Sequence, residues 1–508
     1  MSADEEGPAG PDLAAGAPSG DVPEGAMLAG HVGDDAVLVA RVGGELFAIG
    51  AHCSHYHGPL AEGLLVGHQV RCPWHHARIC LRTSEALAAP AIDPVGRWEV
   101  EEKDGKIVVR AAGAQPAPAR GGGTGARRVV IAGGGAAGFA AAEMLRRRGF
   151  DGGLIMLSAD RDAPYDRPNC SKDYLAGEAP AEWMPLRPDG WYADHDIDLR
   201  LSTEIASLDP SGKTVSLKGG EALPYDALVL ALGAEPIRLP LPGFEAPTVH
   251  VLRSLADADA ILAAAKGARR VAIVGASFIG LEVAAALRHH GLEVHVAAPE
   301  TVPLGRILGD DIGHWIRGLH EAAGVVFHLG CKVEGWADGR LQLDSGTIEA
   351  DFVVVGAGVR PRTALAEAAG LDVDRGVVVD ARLRTTAAGV YAVGDLARYP
   401  DAGSGALICV EHWVHAERQG QHVAHAILGD DAPFTDPPFF WSVHQGATIN
   451  YVGHAEAFDP PKVEGSLQGQ DAQVRYVHGG HMLAMATVGR DLESLKAGVA
   501  LEPAPTPA

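Results

Sequence analysis

The sequence predicts a multidomain chain: an all-β unit first, two α/β nucleotide-binding lobes, and an α+β domain last. Three observations carry this. Residues 22–111 alternate in short runs, such as Ala36–Ala40 and Leu46–Ile49, broken by glycine pairs such as Gly43-Gly44; that is the pattern of strands joined by tight turns. A strand–glycine–helix unit occurs twice, at Val129–Ala132 with Gly133 to Gly138 and at Val271–Val274 with Gly275 to Gly280, implying two nucleotide-binding lobes. After residue 436 the pattern returns to mixed strands, with aromatics at Phe439-Phe440-Trp441. The expected divisions are a disordered tail (1–21), the all-β unit (22–111) and a flexible Pro/Gly linker (112–126). The first lobe follows (127–249, continued by 372–435), then the second lobe (250–371), the α+β domain (436–501) and a tail (502–508). A flexible linker of that length spans on the order of 20 Å, so the first unit is expected to reposition.

Composition narrows the function. A length of 508 residues is about three domains' worth. Lys and Arg total 42 against 65 Asp and Glu, a net charge of −23. That argues against nucleic acid as a partner, which calls for a basic face. With 47% hydrophobic and 21% charged residues the composition is that of a globular protein. Six cysteines are too few for a disulfide scaffold and point to a reducing compartment and metal or redox chemistry. The first twenty residues hold no Lys, Arg or apolar run, and no uninterrupted apolar stretch approaches the ~18 residues of a membrane span. A cytoplasmic protein that does not enter the membrane is the expectation.

Cys53-Ser54-His55 and Cys72-Pro73-Trp74-His75 lie in two loops rich in His, Gly and Pro. Two thiolates and two imidazoles are the donor set of a Rieske [2Fe–2S] cluster, the thiolates on one iron and the imidazoles on the other. The alternative is a Cys₂His₂ zinc site. Zinc fingers pair C-x₂₋₄-C with H-x₃₋₅-H, whereas here each loop supplies one of each. Residues 22–110 resemble the Rieske ferredoxin domain. Some Rieske proteins join the two ligand loops by a further disulfide; Gly58 and Trp74 stand in those places, which the resemblance links to the ferredoxin-like, lower-potential branch. Cys80 is expected to be a packed small hydrophobe.

Gly133-Gly134-Gly135-Ala136-Ala137-Gly138 fits G-x-G-x-x-G after a strand and at a helix start, where a pyrophosphate can sit on the helix N-terminus. Asp160 is the nearest carboxylate for the ribose. The second site reads Gly275-Ala276-Ser277-Phe278-Ile279-Gly280, with Ser277 replacing the middle glycine. Glu300, after the strand Val294–Val296, is the candidate for the ribose 2′-OH, and its charge favours NAD(H) over NADP(H).

Further segments complete a set: Pro164–Lys172, Tyr225–Pro236, Phe352–Pro361 (with Gly358) and Gly389–Asp395 (with Gly394). With the glycine motifs, residues 127–500 resemble the NAD-dependent ferredoxin reductases of oxygenase systems and apoptosis-inducing factor. Joined to a Rieske unit, the chain is most similar to the apoptosis-inducing-factor-like subfamily that carries an N-terminal Rieske domain. The resemblance implies two Rossmann-like domains, for FAD and NAD. It implies FAD contacts at Arg167, Lys172, Asp395 and Trp441, and a backbone contact near Ile205. It sets Glu411-His412-Trp413 beside the flavin ring and makes Phe278 the aromatic that nicotinamide displaces. It also implies a Lys172–Glu282 pair at the flavin's reactive edge, where a fixed ammonium stabilises the reduced, anionic flavin.

The reading that follows is an NADH-dependent flavoprotein reductase. Electrons pass from NADH through FAD to the fused cluster and on to an external one-electron acceptor, in a monomer or homodimer. Two other readings remain at this point: a slowly turning-over NADH redox sensor, and a peroxide or disulfide reductase acting through Cys170. Cys170 is expected to pack, and no C-x₄-C pair exists for a flavin–disulfide relay. Asp310, Asp311, His314 and His320 suggest a mononuclear iron site, but histidines six apart on a helix take different faces; a solvated helix is expected there. Apart from His55 and His75, the histidines are expected to be surface or structural.

Overall fold

The computed structural model of the chain describes residues 9–114 and 125–503. It divides into two compact units. The first holds the described N-terminal residues with Arg147–Gly149 and Arg490–Glu502, and the second holds the remainder as far as Gly489.

In the first unit a six-stranded sheet takes the order Ala17–Pro18, Lys106–Ala112, Arg97–Lys103, Glu45–Gly50, Asp35–Val42, Met27–Val32. A second sheet has four strands, Leu64–Val66, Gln69–Arg71, Arg78–Cys80 and Ala86–Ala88; the Cys72 loop joins its second and third strands, and the Cys53 loop follows Glu45–Gly50 of the first sheet. Every pairing is antiparallel. The hairpin between Asp35–Val42 and Glu45–Gly50 turns on Gly43 and Gly44, both at positive φ (63° and 77°), as a two-residue turn matched to strand twist requires. Successive residues of Asp35–Val42 enter different cores. Leu38 and Ala40 pack with Ile49, Leu60 and Ile79, beside Cys53 and Cys72. Val37 and Val39 pack with Ala48, Ile107 and Val109, and with Leu13, Ala17 and Val22.

That second core corrects the reading of residues 1–21 as a tail. From residue 9 onward the segment is ordered: Leu13 is fully buried and Ala17 pairs with Ile107. Residues 1–8 lie outside the described residues, as does most of the expected linker (115–124). A second correction falls at the other end. The helix Asp491–Leu501 belongs with the first unit and not with the preceding α+β sheet. Its Ser494, fully buried, lies 3.2 Å from His76 Nε2. Glu502, expected in a tail, accepts from Arg71 (2.7 and 2.8 Å) and from Arg78 (2.9 Å).

In the second unit each lobe is built on a five-stranded parallel sheet. The first runs Ile197–Arg200, Gly153–Leu157, Arg128–Ala132, Ala227–Leu230, Val390–Ala392; the second runs Val249–Val251, Phe352–Val355, Arg270–Val274, Glu293–Ala298, Val325–Leu329. Their central strands are nearly continuous apolar runs, as strands covered on both faces must be. Each lobe also carries a three-stranded antiparallel sheet, within 205–224 and 333–349. The two segments that leave the lobes pair with each other, Ala234 opposite Pro361 and Pro236 opposite Val359.

The last sheet, Phe439–His444, Ala447–Gly453, His481–Val488, Asp471–His478, Val463–Ser466, is antiparallel. Its core takes Ile312, Trp315 and Ile316 from the helix Asp310–Ala322, and Leu281 from the second glycine helix. That helix is therefore not simply solvated: one stripe is in the core, and His320 on it is fully buried. No helix among the described residues is long and apolar enough to cross a membrane.

Glu502→Ala leaves Arg71 and Arg78 without their shared carboxylate. With Arg71 8% and Glu502 23% exposed, the loss should cost roughly 2 kcal/mol, between the values for surface and buried pairs. Hydrogen exchange of the amides in Gln69–Arg71 and Arg78–Cys80 should speed accordingly. Unchanged protection would mean that the C-terminal residues do not hold this unit.

Candidate metal centre and active site

The two ligand loops are local copies of each other. Cys53 N donates to Gly58 O (2.9 Å) and Cys53 O accepts from His57 N (3.0 Å); Cys72 N donates to Ala77 O (2.9 Å) and Cys72 O accepts from His76 N (3.2 Å). His57 and His76 occupy the same left-handed turn position, each with φ 59°. The turns bring like donors together. Cys53 and Cys72, 1% and 2% exposed, are hydrogen-bonded sulfur to sulfur, while His55 Nδ1 faces His75 Nδ1 at 3.2 Å.

Burial pushes His55 down to about 3, so its ring is neutral with a lone pair to give. The hydrogen bond to Cys72, then burial, push the Cys53 thiol up, and the same bond holds Cys72 down. Two buried sulfurs cannot both shed their protons unless a cation takes them up. A two-iron cluster needs a sulfur pair and a nitrogen pair, and these residues fit it. A Cβ at Gly58 would lie 2.8 Å from Cys72 Sγ and 3.2 Å from the Trp74 ring, so the two places that a further disulfide would join lie close together without one.

In the second unit both glycine motifs show one geometry. A Cβ at Gly133 would lie 2.1 Å from Ala231 O, and one at Gly138 would lie 1.9 Å from Gly133 O. In the other lobe Gly275 meets Gly356 O at 2.4 Å and Gly280 meets Gly275 O at 2.3 Å. Only glycine lets each helix start this close to its strands, which leaves the helix N-terminus open to a pyrophosphate. The Cβ direction of Gly135 leads to Arg167 Nη1 at 3.5 Å, and Arg167 Nε is buried without a partner. A guanidinium at that helix start suits FAD's phosphates. Ala136 and Ala137 are buried in the first turn. The helix Trp413–Ile427 closes on Ala137 O, where a Cβ at Gly420 would come within 2.1 Å. Gly394 N donates to Gln419 Oε1 (2.7 Å), and buried Asp395 pairs with Arg253.

Other expected residues fall as follows. Ser158, not Asp160, faces Gly134, its Oγ 2.7 Å from the Cβ position, while Asp160 accepts from Tyr165 Oη (2.9 Å). Ser277 closes the turn it sits in, because its Oγ accepts from Gly280 N (3.2 Å) as the helix N-cap and donates to Gly356 O (2.7 Å). Ile279 (41%) and Glu300 are exposed, and Ile205 opens the first antiparallel sheet. Gly358, at φ 94°, accepts from Ile237 N. His412 precedes the helix Trp413–Ile427; its Nδ1 is buried without a partner and burial pushes it down to about 3. Glu411 is open to solvent on one side, yet loss of hydration and then the charge of Asp395 push its carboxyl up to about 7.

The structure brings together the pair expected at the reactive edge. Lys172 Nζ lies 2.9 Å from Glu282 Oε2, the two side chains 15% and 3% exposed. Lys172 sits over the Trp441 ring at 5.7 Å, and Phe278 meets Phe440 edge-on at 4.9 Å. Cys170 is 2% exposed within a core of Tyr165, Leu175 and Met184, and burial pushes its thiol up to about 12. Burial of this kind disfavours the thiolate that a nucleophile needs. Arg253, Gln419 and Gly420 carry no motif of their own, and sequence reasoning missed them.

Residues 127–420 match the family model described as pyridine nucleotide-disulphide oxidoreductase, and residues 14–99 match that of the Rieske [2Fe-2S] domain. The chain is 31% identical over 492 residues to apoptosis-inducing factor 3 of Homo sapiens, covering 93% of this chain and 81% of that protein. It is 36% identical to the anthranilate 1,2-dioxygenase system ferredoxin–NAD(+) reductase component of Burkholderia cepacia, covering 72% of this chain and 92% of that one. Among solved structures, the covalent putidaredoxin reductase–putidaredoxin complex superposes with a TM-score of 0.72 at 32% identity, over 74% of this chain and 93% of that chain.

Gly138→Ala should weaken FAD retention by about tenfold or more, since its Cβ meets a backbone carbonyl that cannot move freely; flavin absorbance per purified chain measures this. Glu411→Gln tests the raised carboxyl in protein stripped of FAD. Between 4.5, its ordinary value, and about 7, the folded chain holds a proton that the unfolded chain has lost. On this group's account stability therefore falls as pH rises through that window. The melting temperature of the Gln variant, relative to the parent, should rise between pH 5 and pH 8; a flat difference would contradict the assignment.

Proposed function

Because the chain belongs to the pyridine nucleotide-disulphide oxidoreductase family and carries a Rieske [2Fe-2S] domain, we propose that it oxidises NADH and passes the electrons singly to an external one-electron acceptor. The Rieske unit then serves as a built-in electron-transfer partner. FAD, when bound, supplies the conversion between a hydride and single electrons. The observation that carries this reading is the presence in one chain of two glycine cradles of matching geometry and a pair of loops that sort sulfur with sulfur and nitrogen with nitrogen.

Each residue has a role that its surroundings support. Cys53 and Cys72 would hold one iron, and His55 and His75 the other. Gly133, Gly135 and Gly138 would admit the FAD pyrophosphate, which Arg167 would neutralise; Asp395 would accept from the sugar-alcohol chain. Gly275, Ser277 and Gly280 admit NADH, and Glu300, exposed past the end of its strand, accepts from the ribose and disfavours a 2′-phosphate. Phe278 would shield the flavin face until nicotinamide binds. Lys172, held by Glu282, would present a fixed positive charge to the flavin, FAD supplying the redox chemistry when bound.

A second reading, a slowly turning-over NADH redox sensor, is favoured by the 93% of this chain that aligns with apoptosis-inducing factor 3. The Cys170 reading loses support from that thiol's burial. A content of six cysteines in 508 residues suits a reducing, cytoplasmic setting, and a monomer or homodimer is compatible with it.

Cys72→Ser separates the two sites. Iron and sulfide should be lost, NADH should still bleach the flavin, and cytochrome c reduction should fall by more than the roughly 10–100-fold that loss of an outer-shell partner costs. Undiminished cytochrome c reduction without iron would remove the cluster from the path.

A further inference from the structure

Glu282 is held by more than Lys172. Its Oε2 also accepts from Ser171 Oγ (2.5 Å), and its Oε1 accepts from Ser442 Oγ (2.6 Å). Ser442 Oγ lies 3.1 Å from His444 Nε2, and His444 Nδ1 lies 3.3 Å from His320 Nε2. His320 Nδ1 in turn lies 3.4 Å from Gln445 Nε2. Ser442, His444 and His320 are 1%, 0% and 0% exposed. They come from two elements, the strand Phe439–His444 and the helix Asp310–Ala322, and neither of these carries Lys172 or Glu282. The aromatic rings beside them are Phe278, 6.5 Å from His444, and Phe327, 6.3 Å from His320.

The direction of every proton in this row is set by its ends. A carboxylate only accepts, so Ser442 must donate to Glu282. The Ser442 oxygen then takes the Nε2–H of His444. A neutral His444 has only an acceptor left at Nδ1, which takes the Nε2–H of His320. His320 Nδ1 is thereby an acceptor, and the Gln445 amide, a donor at that nitrogen, closes the row. Burial pushes both rings down to about 3, so both are neutral at pH 7, as this order requires. A buried carboxylate needs such donors to offset the loss of water.

We propose that Ser442, His444 and His320 are positioning residues: a hydrogen-bond relay of single polarity that holds Oε1 of Glu282 in place and thereby fixes the Lys172 ammonium bound to Oε2. Nothing in the glycine, Cys/His or Lys–Glu motifs calls for them. Without the Ser442 donor, Oε1 of Glu282 loses that partner, the carboxylate is free to turn, and Lys172 Nζ is no longer held at one place. The effect on flavin rests on the proposed position of Lys172 at its reactive edge; the relay itself does not.

Two measurements on the full-length FAD-loaded protein test it separately. In ¹⁵N-histidine NMR at pH 7, His320 and His444 should both be neutral, with hydrogen on Nε2 and none on Nδ1. Either ring charged, or carrying Nδ1–H, overturns the relay. In redox titration Ser442→Ala should shift the flavin midpoint potential in the same negative direction as Lys172→Gln, with FAD content retained. The double variant should shift no further than Lys172→Gln alone, and Ser442→Thr should restore the parent value. If Lys172→Gln shifts the potential and Ser442→Ala does not, the relay fails while the flavin reading stands. If Lys172→Gln leaves the potential unchanged, the position of Lys172 fails, and the histidine tautomers still decide the relay.

Discussion

A carboxylate that is 3% exposed has to be supplied with partners, and Glu282 draws its own from separate parts of the second unit. Lys172 and Ser171 come from the turn that follows Pro164–Asp166 in the first lobe. Glu282 itself rides on the second lobe's glycine helix, and Ser442 comes from the C-terminal sheet. Removing one partner of a buried charge costs about 3–5 kcal/mol, because the other is left uncompensated. The three parts are therefore held to one another where they meet, and Phe278, Phe440 and Trp441 gather around the same point. A site meant to hold reacting rings in place gains from that rigidity.

The chain solves its problems by repetition at two scales. Each nucleotide lobe has the same five parallel strands, the same three-stranded antiparallel sheet and the same pair of glycines whose missing Cβ atoms let a helix start on its strand. Within the Rieske unit, two loops repeat one hydrogen-bond pattern and one left-handed histidine, and differ in placing the ligand histidine two or three residues after the cysteine. Where a backbone must approach a phosphate or wrap a cluster, few local solutions exist, and the same one recurs.

That scarcity explains what could be read from the residues alone. Gly133, Gly138, Gly275 and Gly280 are legible because no other residue fits their places. The Cys/His loops are legible because the donor types and spacing are dictated by iron. The strands of both lobes announce themselves as unbroken apolar runs. What stayed hidden depends on partners distant in sequence. Ser442, His444 and His320 look like unrelated polar residues until a strand and a helix 124 residues apart are brought together. Leu13 and Glu502 sit in Pro- and Ala-rich stretches, and only a sheet face and an arginine pair show why they are ordered. Ser277 was visible as a departure from the glycine motif, though a serine at a helix start could have been read as its cap. Asp160 was the nearest acid by spacing, but Tyr165 claims it.

The proposed activity requires that electrons enter this chain as a hydride at one unit and leave singly through iron in the other. Anaerobic titration with NADH, followed by flavin absorbance and by EPR on the same samples, decides whether they do. The flavin band should bleach, and the signal of a reduced, histidine-ligated two-iron centre should grow in with it. Flavin that bleaches fully while an intact cluster stays silent, or purified protein that holds zinc where iron and sulfide should be, would refute that path.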